Sequence, residues 1–248
     1  MVRAYLLVVC LILSLLIAAS GEAETLNHPP WSERFYQFVE EQYGGDAGKR
    51  LRFLETFILE HQNIPVMEKL VLVNKTMNRL PWIADSDKWK RSDYWATPLQ
   101  TITTFGGDCE DIAIVKWFVL NHLGVPNENL RLAYVKFRTS RGTYGSHMVL
   151  IYLVDSQKPV DRQPVYVLDN NLDEVRLAKE RSDLYAVHLI DAEGNVTLIA
   201  ESSTGRSVRE ELKEREIRQL SELKRRIAAD RNTYLEFSDG TYFMPMSF

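Results

Sequence analysis

The chain has 248 residues, 45% of them hydrophobic and 26% charged, with a formal net charge of −4. This is ordinary globular composition, with length for one large domain or two small ones. The mildly acidic balance argues against a nucleic-acid binder, which would carry a basic face, and no repeat or low-complexity tract is present.

The first residues read as a targeting segment. Arg3 supplies a positive charge, residues 6–18 (LLVVCLILSLLIA) form an apolar run, and small residues follow in AASGEAE. This is the pattern of a secretory signal, here residues 1–23 with cleavage near Ala23. The run is shorter than the ~20 residues of a membrane span. Residues 24–248 are then one exported domain. Cys10 leaves with the leader, so Cys109 is the mature protein's lone thiol, and no internal disulfide is expected.

Next comes an extended stretch with His28, Pro29 and Pro30. A helical run over residues 32–62 follows, with Ser32 as its N-cap and a break at Gly44-Gly45. A second helix starts at Pro65, with Met67, Leu70, Val71, Asn74 and Met77 spaced along one face. Residues 80–107 lack periodicity and read as a long ordered loop with a short helix or two, of the kind that wraps a site. Tyr94 and Trp95 in this stretch either line a cleft or pack in the core.

Glu110 to Leu123 is a helix with Ile112, Val115, Val119 and Leu123 on one side, and Gly124 suits its C′ position. Gly106-Gly107 precede it, Asp108 is a natural N-cap, and Cys109 falls in the first turn. The pattern then changes to strands at residues 130–137, 147–154, 164–169 and 185–190, with a turn at Asp191–Asn195 into VTLIA. A charged amphipathic helix over about 206–230 closes the domain. Val208, Leu212, Leu220, Leu223 and Ile227 are its docking residues. Helices first and strands later predict an α+β fold with an antiparallel sheet.

A cysteine nucleophile needs a base, commonly His, and often a third group that orients the His. Of the five histidines, His28 lies in the N-terminal stretch, His61 ends an early helix, and His122 stands ~20 Å along the same helix as Cys109. His147 and His188 are the strand candidates. If residues 147–154 and 164–169 pair around a midpoint near Lys158, His147 and Asp169 face each other at one end of the sheet. A cysteine on a helix N-terminus at that end completes Cys109, His147 and Asp169. Each member also has a plain structural reading, as a small buried residue, a strand-end histidine and a turn aspartate. One cysteine and scattered histidines do not make a zinc site.

The segments DYWATPLQTITTFGGDCEDIAIVKWFVLNHLGV, GSHMVLIY and YVLDNN, in this order and spacing, resemble the bacterial transglutaminase-like cysteine proteinases over about residues 31–200. The resemblance implies a papain-like, transglutaminase-type core, with Cys109 as nucleophile, His147 as base and Asp169 as orienting acid. It further implies a periplasmic endopeptidase that cleaves a large outer-membrane-associated adhesin near its N-terminus, beside a di-alanine, and so disperses biofilm. The periplasmic domain of an inner-membrane cyclic di-GMP receptor is the implied inhibitor. Calcium is the implied cofactor, with Asp108, Glu110 and Asp111 as ligands.

A cation there would resolve an electrostatic puzzle. One carboxylate ~8 Å from a thiolate at an effective dielectric near 20 opposes it by roughly 2 kcal/mol. Three could outweigh the ~0.3–2 kcal/mol that a helix N-terminus contributes. The same acids could instead simply complement the helix dipole. Two other functions share these residues: transglutaminase-type acyl transfer through the same thioester, and a non-catalytic calcium-dependent binding module.

Overall fold

Gly44, at φ 89°, divides the first helical run into α1 (Glu33–Tyr43) and α2 (Gly45–His61). Ser32 caps α1, its Oγ accepting from the Phe35 N–H at 3.2 Å. The computed structural model describes residues 31–139, 142–199 and 206–237. The expected signal segment, His28 and the side chains of Val208 and Leu212 lie outside the described residues.

Helix α3 (Val66–Met77) buries Lys69, Leu70, Val73, Asn74 and Met77, whereas Met67 and Val71 are exposed. The face is therefore turned from the expected one. Lys69 accounts for part of the turn, because its Nζ donates to the Leu123 carbonyl at 2.6 Å. Residues 80–107 hold two short helices, α4 (Asp85–Lys88) and α5 (Pro98–Thr103), the second opened by a Thr97/Gln100 capping box.

Helix α6 (Cys109–His122) is buried from Asp111 through Leu120 with no solvent face. The one-sided pattern expected for it understated its role as the central helix. Gly124, at φ 84°, ends it as expected.

The sheet comprises β1 (Leu130–Arg138), β2 (Tyr144–Leu153), β3 (Val165–Asp169), β4 (Leu172–Leu177), β5 (Leu184–Ile190) and β6 (Val196–Leu198). Its order is β4-β3-β2-β1-β5-β6 and every pairing is antiparallel. The fold is thus the expected α+β. Side chains alternate across the sheet with period two. Leu132, Tyr134, Met148, Leu150 and Leu168 join the main core with the helices. Ala133, Val135, Val149, Ile151, Val165 and Val167 form a smaller apolar cluster on the other face.

Helix α7 (Arg206–Phe237) runs farther than expected and buries Leu220, Leu223 and Tyr234. It also ties down the segment before α5. Arg226 Nη2 donates to the Trp95 carbonyl at 2.6 Å, Gln219 Nε2 to the Asp93 carbonyl at 3.0 Å, and Thr97 Oγ1 donates to Asp230 Oδ2. Among the described residues no helix is long and apolar enough to cross a membrane.

Candidate active site

Cys109 is the first residue of α6 and is partly buried. Asp108 occupies the N-cap position but makes no side-chain cap bond. Its carboxylate turns instead toward Asp85 and Asp111, whose oxygens lie within 4.8 Å of it. Gly107 is required beside them, since a Cβ there would stand 2.3 Å from Asp111 Oδ2.

His147 and Asp169 meet through the strand register. Pairs such as Leu150↔Leu168 and Ile151↔Val167 centre the hairpin on residue 159, one residue beyond the expected midpoint. Asp169 therefore lines up beside residue 149, not residue 147. The displacement is two residues, and a two-residue offset preserves the face. His147 Nε2 lies 2.8 Å from Asp169 Oδ1, with exposures of 5% and 1%.

Asp169 is held from several sides. Its Oδ2 accepts from Arg181 Nη2 at 2.8 Å, and its Oδ1 also accepts the Asn171 N–H at 2.9 Å. Arg181 in turn pairs with Asp183. Burial alone would raise the Asp169 pKa. The bonds from His147, Asn171 and Arg181 outweigh it and hold the carboxyl well below its usual range. An ionised acceptor fixes the proton on His147 Nε2 and leaves Nδ1 as the basic nitrogen.

The thiol stands against β2. The backbone N–H of Met148, the residue after His147, is close enough to favour the ionised form of the Cys109 sulfur. The thiol itself donates to Glu110 Oε2 at 2.8 Å. Burial, then the Glu110 and Asp108 carboxylates, push the thiol well above its ordinary pKa, and the Met148 N–H acts in the opposite sense. The negative field expected from the sequence is therefore present at the sulfur.

The remaining histidines are engaged elsewhere. His61 and His122 bond backbone carbonyls on their own helices through Nδ1, and His188 is buried and stacked on Tyr134 at 4.9 Å. Tyr94 and Trp95 are both buried in the protein interior.

Two clusters of metal-capable side chains share Asp108 at the start of α6. Asp108, Cys109 and Glu110 form one, and Asp85, Asp108 and Asp111 the other. The second includes Asp85, a residue the sequence analysis did not single out, which sits in the first turn of α4. Asp85 Oδ1, Asp108 Oδ1 and Asp111 Oδ2 are buried, and no hydrogen bond reaches them. Each carboxyl is raised by burial first and by its acidic neighbours: Asp85 to about 6, Asp111 to about 7 and Asp108 to about 10. Backbone donors hold the opposite oxygens, Tyr94 N–H on Asp85 and Ala96 N–H on Asp111 at 2.7 Å. Buried, convergent and unsatisfied carboxylate oxygens suit a hard cation such as Ca²⁺.

Two further residues outside the sequence expectations shape the site. Asn78 Nδ2, at the end of α3, donates to the carbonyls of Asp169 at 3.0 Å and Leu172 at 3.2 Å. Trp82 forms an isolated parallel bridge with Gly107.

Residues 34–194 match the family model described as bacterial transglutaminase-like cysteine proteinase, BTLCP. Among solved structures, Legionella pneumophila LapG is 29% identical, with a TM-score of 0.59, covering 80% of this chain and 99% of that one. Its calcium-bound form is 31% identical, with a TM-score of 0.56, covering 73% of this chain and 97% of that one. The EGTA-treated form is 29% identical, with a TM-score of 0.56, covering 76% and 100%. No curated protein sequence matches the chain.

Proposed function

This chain belongs to the bacterial transglutaminase-like cysteine proteinases, and from that premise we propose that it is a calcium-dependent endopeptidase working through Cys109, His147 and Asp169. The observation that carries the assignment is the buried His147–Asp169 pair on β2 and β3, one residue along β2 from the Met148 N–H whose influence reaches the Cys109 thiol.

In this mechanism the Cys109 sulfur attacks the scissile carbonyl. The Cys109 proton passes to His147 Nδ1, and Asp169 stabilises the imidazolium. His147 then protonates the leaving amine, which departs as the new N-terminus, and a thioester to Cys109 remains. Water, deprotonated by His147, hydrolyses the thioester and regenerates the thiol. The Cys109 backbone N–H at the start of α6 is the natural donor to the oxyanion.

Asp85, Asp108 and Asp111 would hold the calcium ion, with Glu110 beside them. Its chemistry there is electrostatic: a divalent charge offsets the carboxylates that disfavour the thiolate. The calcium-bound form of a similar LapG supports this reading.

The substrate proposed, in keeping with the family resemblance, is a large outer-membrane-associated adhesin, cut near its N-terminus so that biofilm disperses. The leader-like pattern of residues 1–23 supports a periplasmic reaction in this proposal, where the periplasmic domain of a cyclic di-GMP receptor would restrain it. The test is incubation of purified protein with the N-terminal region of a candidate adhesin, in calcium and in excess EGTA. Cleavage at one site only with calcium supports the assignment, and equal cleavage under chelation contradicts the calcium requirement.

A further inference from the structure

The stretch from Asn78 to Ile83 spans the two halves of the candidate site. At one end Asn78 binds the Asp169 carbonyl. At the other, Gly107 N–H donates to the Pro81 carbonyl at 3.1 Å and Ile83 N–H donates to the Gly107 carbonyl at 2.9 Å. Gly107 stands two residues before the nucleophile. This wall is anchored to both the acid and the cysteine loop.

Trp82 lies in the middle of the bonded stretch and is 61% exposed. It is the only tryptophan among the described residues with such exposure, since Trp31, Trp95 and Trp117 are each at most 4% exposed and Trp89 is half-buried. A large indole left in water beside a reactive centre is a typical recognition element. The backbone carries a second, independent signal. In a bridge of this kind residues 81 and 83 supply the groups that face Gly107, so the N–H and C=O of Trp82 point the other way. No hydrogen bond among the described residues reaches either group. A short extended edge with unpaired polar groups is a template for another extended chain.

We infer that Trp82 forms a substrate subsite, in which its N–H and C=O pair with the main chain of an extended polypeptide and its indole covers an apolar side chain near the scissile bond. The inference rests on the proteinase reading and adds how the substrate is gripped. Main-chain pairing explains how a protease can take a segment of a large protein without a deep pocket. It also predicts that the cleaved segment must be locally unfolded or extended.

The test uses full-length mature protein and a synthetic peptide spanning the site that the wild type cleaves. Trp82→Ala should raise KM by about tenfold with kcat within about twofold, the signature of lost uniform binding. Trp82→Phe should recover most of the loss. A direct binding readout uses the Cys109→Ala background: the peptide should shield the exposed tryptophan from acrylamide quenching, and the protected component should vanish in Trp82→Phe. If no wild-type cleavage is found, quenching with overlapping synthetic peptides from the N-terminal region of the candidate adhesin decides the subsite. Unchanged KM in Trp82→Ala, or quenching unaffected by peptide, overturns the inference while leaving the proteinase reading intact.

Discussion

Asp169 grips His147 from one strand away, Oδ1 to Nε2 at 2.8 Å, although the register sets it beside residue 149. The contact is diagonal across β2 and β3, and Arg181 secures the other carboxylate oxygen. Asp169→Asn should therefore keep the fold but leave the imidazole in the wrong tautomer, lowering kcat by roughly 10²–10⁴-fold. Steady-state cleavage rates with a matched thermal melt check this. A variant with native kcat would remove Asp169 from the mechanism.

Asp85 faces Asp108 and Asp111 with an unsatisfied buried oxygen. Calcium should raise the melting temperature of the wild type, because a ligand that binds only the folded state adds about 2.7 kcal/mol at a hundredfold excess over Kd. In Asp85→Asn the calcium dependence of that shift should move to at least tenfold higher concentration. Calorimetry of calcium binding reads the same effect without activity. An identical titration for both proteins would show that Asp85 takes no part.

Asp230 supplies a pH dependence away from the acid cluster. Burial raises its pKa to about 6, against opposing contributions from Thr97 and Arg226. An unfolded aspartate titrates near ~3.9, so between these values the folded state holds the extra proton. Its stabilising effect is complete below about pH 4 and is lost as pH rises through 6. Two units correspond to about 3 kcal/mol as an upper figure. Asp230→Asn keeps an acceptor for Thr97, so it should match the wild type at pH 4 and exceed it by about 1–3 kcal/mol at pH 8. Denaturant melts at the two pH values decide it, and parallel pH profiles would contradict the sign.

Asn78 clamps the turn that presents Asp169, through the carbonyls of Asp169 and Leu172 and through Asp173 Oδ1 at 3.0 Å. Asn78→Ala leaves these acceptors short of a donor and should cost about 1–3 kcal/mol of stability. As a positioning residue it should also lower kcat more than KM rises, and Asn78→Gln should restore part of the loss. Stability lost with unchanged kcat would confine Asn78 to a structural role.

The three proposed catalytic residues were legible because each sits at an element boundary that local chemistry marks. Gly106-Gly107 announce the start of α6, and alternating β-branched runs delimit the strands that carry His147 and Asp169. The expected midpoint was off by one residue, yet the period-two pleat kept both side chains on one face. Strand β4 was missed because LDEVRL is a charged edge strand with few buried residues. Arg181 lay hidden in a charged stretch where nothing distinguishes a buried guanidinium from a solvated one. Asp85 and Trp82 belong to the aperiodic residues 80–107. Only the tertiary path, pinned by Gly107 and by the ties from α7 to residues 93–97, carries them to the site.

Mass spectrometry of the acid-quenched reaction tests the central claim most directly. Brief incubation with the cleaved peptide should yield protein heavier by the N-terminal fragment less water, attached at Cys109, released by hydroxylamine and absent from Cys109→Ala. Undiminished cleavage by Cys109→Ala, with no adduct on the wild type, would contradict it.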